Sequence, residues 1–154
     1  MIRPFLLSDL EQILQIEVQA FPKSPYDWAT FLNLYTVYPE TFLVYVDTTC
    51  DGEVGKTPSR KGPILGYIIY STDGHIISIA VHPDHRRRGI GNELLKRAMN
   101  IPHIKKIWAE VRKSNRIAQA FYSHAGFQTT HVVPNYYGNE DALIVQWTSY
   151  ASEP

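Results

Sequence analysis

The chain has 154 residues, 44% of them hydrophobic and 12% aromatic, which suits one folded domain with a substantial core and excludes disorder. Lysine plus arginine and aspartate plus glutamate each number 15, so no net field draws nucleic acid or an anionic membrane, and neither is an expected partner. Cys50 is the single cysteine, which excludes an intramolecular disulfide and a cysteine-built zinc site.

No charged-then-apolar leader precedes Arg3-Pro4, and no apolar run approaches the ~18 residues of a membrane span. The expectation is a cytoplasmic protein folded as one domain over residues 1–154.

In chain order, Met1 to Pro4 fits an edge strand. Ser8-Asp9 then offers an N-cap to a helix in which Leu10, Ile13, Leu14 and Glu17 to Ala20 recur at helical spacing. Phe21-Pro22-Lys23-Ser24-Pro25 interrupts it. A second short helix is predicted over Tyr26 to Tyr35, with Trp28, Phe31, Leu32 and Tyr35 on one side and Tyr38-Pro39 as its stop. Thr41 to Asp47, dense in β-branched and aromatic residues, reads as a strand. From Thr48 to Pro63 the composition turns to Gly, Pro, Ser, Thr and charge, which marks a long exposed connection. Gly52 to Thr57 within it suggests a Walker-type phosphate loop, but Cys50 stands where that motif needs its first glycine, and a flexible insertion is the better reading.

Ile64 to Ser71 and His75 to Val81 read as two strands joined by a tight Asp73-Gly74 turn. Three arginines lead into Gly89-Ile90-Gly91 and a helix over Gly89 to Asn100, with Ile90, Leu94, Leu95, Ala98 and Met99 on one face and Pro102 as its stop. Lys106 to Val111 reads as a buried strand. Asn115 to His124 is predicted helical, with Ile117, Ala118, Phe121, Tyr122 and Ala125 inward and Gly126 ending it. Phe127 to Val133 and Asp141 to Thr148 close the chain as strands. The order predicts an α/β (α+β mixed) fold: a mixed, mostly antiparallel central sheet of about six to seven strands, flanked on both faces by about four helices.

The order strand, basic turn, glycines, helix is one in which an anion can sit on backbone amides, because the first turn of a helix has donors without partners and a positive dipole end. Gly89 and Gly91 keep side chains out of the way, and Arg86, Arg87 and Arg88 add charge. A solvated basic turn explains the same spacing equally well. Glu110 sits in an apolar strand, where desolvation raises a carboxyl pKa toward that of a useful base, although a salt bridge to Arg112 or a lysine is the ordinary explanation. Tyr122 by default is a core aromatic, Asn115 an N-cap, and Tyr136-Tyr137 surface aromatics of a loop. His82-x-x-His85 has a metal-like spacing with only Asp84 nearby; it reads as a solvated loop, and no metal is expected.

Taken together these residues carry a resemblance. Arg86-x-x-Gly89-x-Gly91 after Ile79-Ala80-Val81 is similar to the acetyl-CoA-binding motif of the GNAT N-acetyltransferase superfamily. It is not the dinucleotide fingerprint, whose third glycine would fall at Leu94. Glu110 to Asn115, then Ala118, Phe121-Tyr122, Gly126-Phe127, Asn135-Tyr136-Tyr137 and Glu140-Asp141-Ala142, resemble the RimI-like N-terminal protein acetyltransferases, a branch that includes the catalytic subunit of the NatA complex. The match runs from Ile76 to near Trp147, and Phe21-Pro22 fits it as well.

The resemblance implies a GNAT fold and transfer of the acetyl group of acetyl-CoA to the N-terminal α-amine of a protein or peptide, by direct attack through a tetrahedral intermediate and without a metal. Position by position, it implies Glu110 as a general base acting through water and Tyr122 as the general acid for the departing thiolate. It sets Ile79, Ala80 and Val81 along the pantetheine arm, Arg86, Arg87, Arg88, Gly89, Ile90, Gly91 and Asn92 about the pyrophosphate, and Asn115 on the cofactor. Phe21, Pro22, Tyr26, Tyr136 and Tyr137 would meet the peptide. An α-amine, with a reference pKa of ~7.7–8.0 against ~10.4 for lysine, is the easier amine for a carboxylate to free.

Lys23-Ser24-Pro25-Tyr26-Asp27 follows neither the tryptophan pattern of the bacterial ribosomal-protein enzymes nor the Leu-Pro-Glu-Asn-Tyr pattern of archaeal and NatA-type subunits, so the preferred N-terminal sequence stays open. Implied partners are a protein N-terminus, with ribosomal proteins among the candidates, and either an auxiliary subunit or a second copy. Two rivals stand beside this reading: an acetyltransferase for lysine side chains or small amines, and an acyl-CoA-binding subunit without turnover. Glu110 with Tyr122 argues against the latter, and Tyr136-Tyr137 favours a peptide over a small polar amine.

Overall fold

A computed structural model describes residues 1–48 and 62–149. Most of the Thr48 to Pro63 connection, including Cys50 and the Gly52 to Thr57 stretch, lies outside the described residues. Among the described residues there are seven strands and four α-helices, the numbers expected. The strands form one sheet of four and one of three, and the chain packs as two compact units, Met1–Ser71 with Ile77–Arg97 and Thr72–Ile76 with Ala98–Pro154.

The first unit holds β1 (Ile2–Pro4), α1 (Leu10–Ala20), α2 (Trp28–Val37), β2 (Phe42–Val46), β3 (Ile64–Tyr70), most of β4 (Ile76–Val81) and most of α3 (Ile90–Met99). Its sheet runs β1-β2-β3-β4, and β2 pairs antiparallel with both β1 and β3. All seven residues of β3 are buried, as an apolar strand inside a covered sheet requires. Phe5, Phe31, Phe42 and Tyr67 form the aromatic centre, with Phe5 stacked on Phe42 at 4.1 Å.

Two expectations change here. Asp9 occupies the cap position of α1 after a 3-10 turn, Leu7–Asp9, but its side chain does not cap that helix. Both its oxygens are held by Arg3, at 2.7 and 2.9 Å, in a buried ion pair. Deleting either partner would strand a charge at a typical cost of ~3–5 kcal/mol. Helix α2 starts after Asp27, whose carboxylate accepts from the Thr30 amide at 2.8 Å. Phe31 is fully buried, and Leu34 and Tyr35 pack beside it at the i+3 and i+4 positions. Trp28 lies at the outer end of that stripe and is 61% exposed, against its predicted inward place.

The second unit holds β5 (Lys106–Arg112), α4 (Arg116–His124), β6 (Gln128–Val133) and β7 (Ala142–Thr148), with β7 between β5 and β6 and both pairings antiparallel. β5 is half-buried rather than buried throughout: Ile107, Ala109 and Val111 face inward, while Trp108 and Glu110 share the other face. Asn115 caps α4 by accepting the Ala118 amide at 3.0 Å, and Gly126 follows the helix at φ 93°. Tyr122 is buried, but Ile117 is 65% exposed, because it falls one position off the stripe of Ala118, Tyr122 and Ala125. Among the described residues no helix is long and apolar enough to cross a membrane.

Candidate active site

The second unit assembles a cluster of polar groups around Glu110. The His75 Nε2 lies 2.7 Å from Glu110 Oε2, and the His75 ring stacks on Trp108 with centroids 5.2 Å apart and planes 4° from parallel. Strand alternation puts Trp108 and Glu110 on one face, so one imidazole can lie on the first and reach the second. The backbone delivers His75 through Gly74, which has φ 108° and whose carbonyl accepts the Trp108 amide at 3.0 Å. A Cβ at Gly74 would come within 2.2 Å of the Lys106 carbonyl oxygen, so only glycine allows this approach.

The hydrogen bond His75 donates to Glu110 is the leading cause holding its pKa above the ordinary value of 6.5, helped by the charges of Glu110 and Asp73 and opposed by burial. The expected Arg112 partnership goes elsewhere: Arg112 Nη1 pairs with Glu140 Oε1 at 2.8 Å, and its guanidinium lies 4.1 Å from the centre of the Tyr137 ring. Glu140 in turn accepts from the Ser114 amide and hydroxyl at 3.1 and 3.0 Å. The loop bearing Tyr136 and Tyr137 is thus tied to the end of β5. Those two rings meet edge to face at 4.8 Å, with Tyr136 51% exposed.

Tyr122 is buried, with its ring against Phe121 and Phe127 at 5.2 and 5.1 Å. Burial pushes its phenol pKa well above the ordinary value, and the charges of Glu110 and Tyr137 push in the same direction. The group therefore keeps its proton across the neutral range. A cavity of about 400 Å³ in this unit, lined by Gln119, Ser123, Phe127, Gln128, Thr129 and Val145, contains none of the predicted site residues.

The first unit carries the basic turn. β4 is the terminal strand of its sheet, with β3 as its one neighbour there, so Ile79, Ala80 and Val81 present a backbone edge. A 3-10 turn, Pro83–His85, leads to Arg87 at φ 66° and Gly89 at φ 80°. Two left-handed residues thus lie two positions apart in the turn, and a Cβ at Gly89 would meet nothing within 4 Å. The Glu93 amide bonds the Gly89 carbonyl at 3.0 Å, so Ile90, Gly91 and Asn92 occupy the first turn of α3, ahead of the helical ladder. Arg86 Nε donates to the Val81 carbonyl at 3.4 Å, and Arg88 Nη1 lies 3.2 Å from His85 Nδ1.

Phe21, Pro22 and Tyr26 lie on the loop between α1 and α2 in the first unit. Phe21 and Tyr26 pack partly against the aromatic core, Tyr26 meeting Phe31 edge to face at 5.7 Å, while Pro22 is exposed. Asn115 performs its cap, which commits its side-chain oxygen. Sequence reasoning missed His75. Nothing in its neighbours marks it out, because its place is set by an isolated parallel bridge to Trp108, far along the chain.

Residues 10–127 match the family model described as Acetyltransferase (GNAT) family. The chain is 37% identical over 152 residues to an uncharacterized N-acetyltransferase of Methanocaldococcus jannaschii, covering 94% of this chain and 88% of the relative. It is 31% identical over 159 residues to an N-alpha-acetyltransferase of Sulfurisphaera tokodaii, covering 94% and 90%. Among solved structures, Ard1 from Thermoplasma volcanium superposes with a TM-score of 0.76 at 28% identity, covering 96% of both chains.

Proposed function

The chain belongs to the GNAT acetyltransferase family, and from that premise we propose that it transfers the acetyl group of acetyl-CoA to the N-terminal α-amine of a protein or peptide. The observation that carries the reading is the pairing, in one unit, of the hydrogen-bonded carboxylate of Glu110 with the buried neutral phenol of Tyr122, which feels its charge. Such a pair can take one proton and give another, as aminolysis of a thioester requires.

Acetyl-CoA, when bound, supplies an acyl group already activated as a thioester. The backbone edge of Ile79 to Val81 suits the amide-bearing arm of the cofactor as a strand suits a peptide. The amides of the turn from Arg86 to Asn92, with the arginines, suit its pyrophosphate. Asn115 retains its side-chain NH₂ as a donor for the same ligand once its oxygen has capped α4. Glu110 accepts a proton from the attacking amine through a water molecule, and His75 fixes the carboxylate's orientation. Tyr122 donates its hydroxyl proton to the leaving thiolate. The exposed Tyr136 and the Arg112-stacked Tyr137 on the second unit, and Phe21, Pro22 and Tyr26 on the first, are the residues we assign to the peptide.

The archaeal relative named an N-alpha-acetyltransferase supports the α-amine over a lysine side chain. We read the working compartment as the cytoplasm, where new protein N-termini are exposed. The test is a panel of peptides incubated with acetyl-CoA. Acetylation of free N-termini, absent when the α-amine is blocked and indifferent to internal lysine, supports the reading. Turnover only at lysine or at small amines overturns it.

A further inference from the structure

Glu17 is 1% exposed in the interior of α1, and both its oxygens are held by neutral donors. Oε1 accepts the backbone N–H of Tyr26 at 3.0 Å, nine residues along the chain and across the loop from α1 to α2. Oε2 accepts the hydroxyl of Tyr67, a fully buried side chain at the centre of β3. The Tyr67 oxygen also lies 2.8 Å from Ser78 Oγ on β4, immediately before Ile79. A carboxylate there is expensive: desolvation raises its pKa, and the bonds from Tyr67 and Tyr26 only partly offset that. For mere packing of α1, an apolar residue of similar size would serve at lower cost.

What the carboxylate does that a leucine cannot is bind two chain segments at once. We infer that Glu17 is a positioning residue for the peptide substrate: it ties the loop of Phe21, Pro22 and Tyr26, through Tyr67, to the β4 segment at Ser78. The inference rests on the proposed function, in which that loop meets the first residues of the peptide and β4 carries the acyl donor. A loop fixed before binding spends less ordering entropy when the peptide arrives, so the tether acts on peptide affinity. The groups proposed to hold the cofactor, Ile79 to Val81 and the turn from Arg86 to Asn92, do not include Glu17, whose link to β4 reaches Ser78 through Tyr67.

The experiment compares Glu17→Leu and Glu17→Gln in the full chain. Leucine removes both acceptors. Glutamine can still accept the Tyr26 amide with its carbonyl and donate its NH₂ to the Tyr67 oxygen, which then donates to Ser78. Glu17→Leu should raise the peptide KM about tenfold, the size of effect expected on losing a hydrogen bond to a charged group, with kcat and the acetyl-CoA Kd changed by less than about threefold. Glu17→Gln should restore most of the peptide KM. Tyr67→Phe, which keeps the ring and cuts the link to Ser78, should move the peptide KM in the same direction and serves if the leucine variant does not fold. A peptide KM that stays native in Glu17→Leu or Tyr67→Phe while Tm falls would make Glu17 structural only and overturn the inference. So would equal losses of peptide and acetyl-CoA affinity. An unaltered protein that acetylates no free N-terminus removes the proposed function and this inference with it, whereas normal turnover with unmoved KM values removes the inference alone.

Discussion

His75 and Glu110 come from chain segments thirty-five positions apart, yet His75 Nε2 and Glu110 Oε2 lie within 2.7 Å of each other. The pair has a thermodynamic signature. His75 has a folded-state pKa above its unfolded value, so the stability it contributes is fully present below pH ~6.5 and is lost as pH rises through the raised folded pKa. Thermal unfolding of the native protein and His75→Asn between pH 5 and 9 should show the largest difference at the acid end, fading toward pH 9. A difference that is flat with pH would mean that the imidazole is not charged by this contact.

Gly74 sets that contact, and alanine there should break it. Its φ of 108° disfavours any Cβ, and the new atom would stand 2.2 Å from the Lys106 carbonyl oxygen. Gly74→Ala should lose more than ~1 kcal/mol in denaturant unfolding, since an incompatible backbone costs more than the entropy it saves. The pH dependence tied to His75 should weaken with it. Unchanged stability would show that the turn relaxes without cost.

Acetyl-CoA should raise the melting temperature, because a ligand held only by the folded state adds about 2.7 kcal/mol at a hundred times its Kd. Gly91→Glu should abolish the shift, since the new side chain adds bulk and negative charge in the first turn of α3. No shift in the native protein at millimolar acetyl-CoA would contradict the proposed cradle.

Local chemistry made most of the elements legible. The Asp73-Gly74 turn, the Asn115 cap, the Gly126 stop and the Ile90-Leu94-Leu95-Ala98 face of α3 are each written in a few adjacent residues, and each is found. What was not legible depends on segments distant in sequence. Asp9 looks like a cap until Arg3 is folded beside it, and Trp28 and Ile117 look inward until the extent of the core is known. At the candidate site the same division holds. The basic turn could be read from its spacing, whereas the His75–Glu110 contact requires knowing that His75 forms a parallel bridge with Trp108, thirty-three positions along the chain.

Tyr122→Phe removes one hydroxyl from a ring that still packs on Phe121 and Phe127. If that hydroxyl protonates the thiolate, kcat should fall by roughly 10²-fold or more while the acetyl-CoA Kd stays nearly constant. Single-turnover kinetics read the chemical step directly. An unaltered single-turnover rate would return Tyr122 to the role of a core aromatic.

Glu110→Gln discriminates most sharply, because it keeps the side chain's shape and an oxygen for His75 while removing the capacity to accept a proton. At neutral pH the rate should fall by ~10²–10⁴-fold, the usual worth of a general base. Part of that loss is recoverable. An α-amine has a reference pKa of ~7.7–8.0, so raising the pH deprotonates the nucleophile in solution and makes the base progressively redundant. The mutant should therefore gain activity toward pH 9 along a slope the native enzyme has already left. His75→Asn serves as the control: it removes the imidazole that orients Glu110 but leaves the carboxylate, so a merely orienting histidine predicts a smaller loss and a native-like slope at the alkaline end. Parallel profiles for Glu110→Gln and the native protein, on a peptide for which chemistry limits the rate, would take Glu110 out of the proton transfer and leave it as the partner that charges His75.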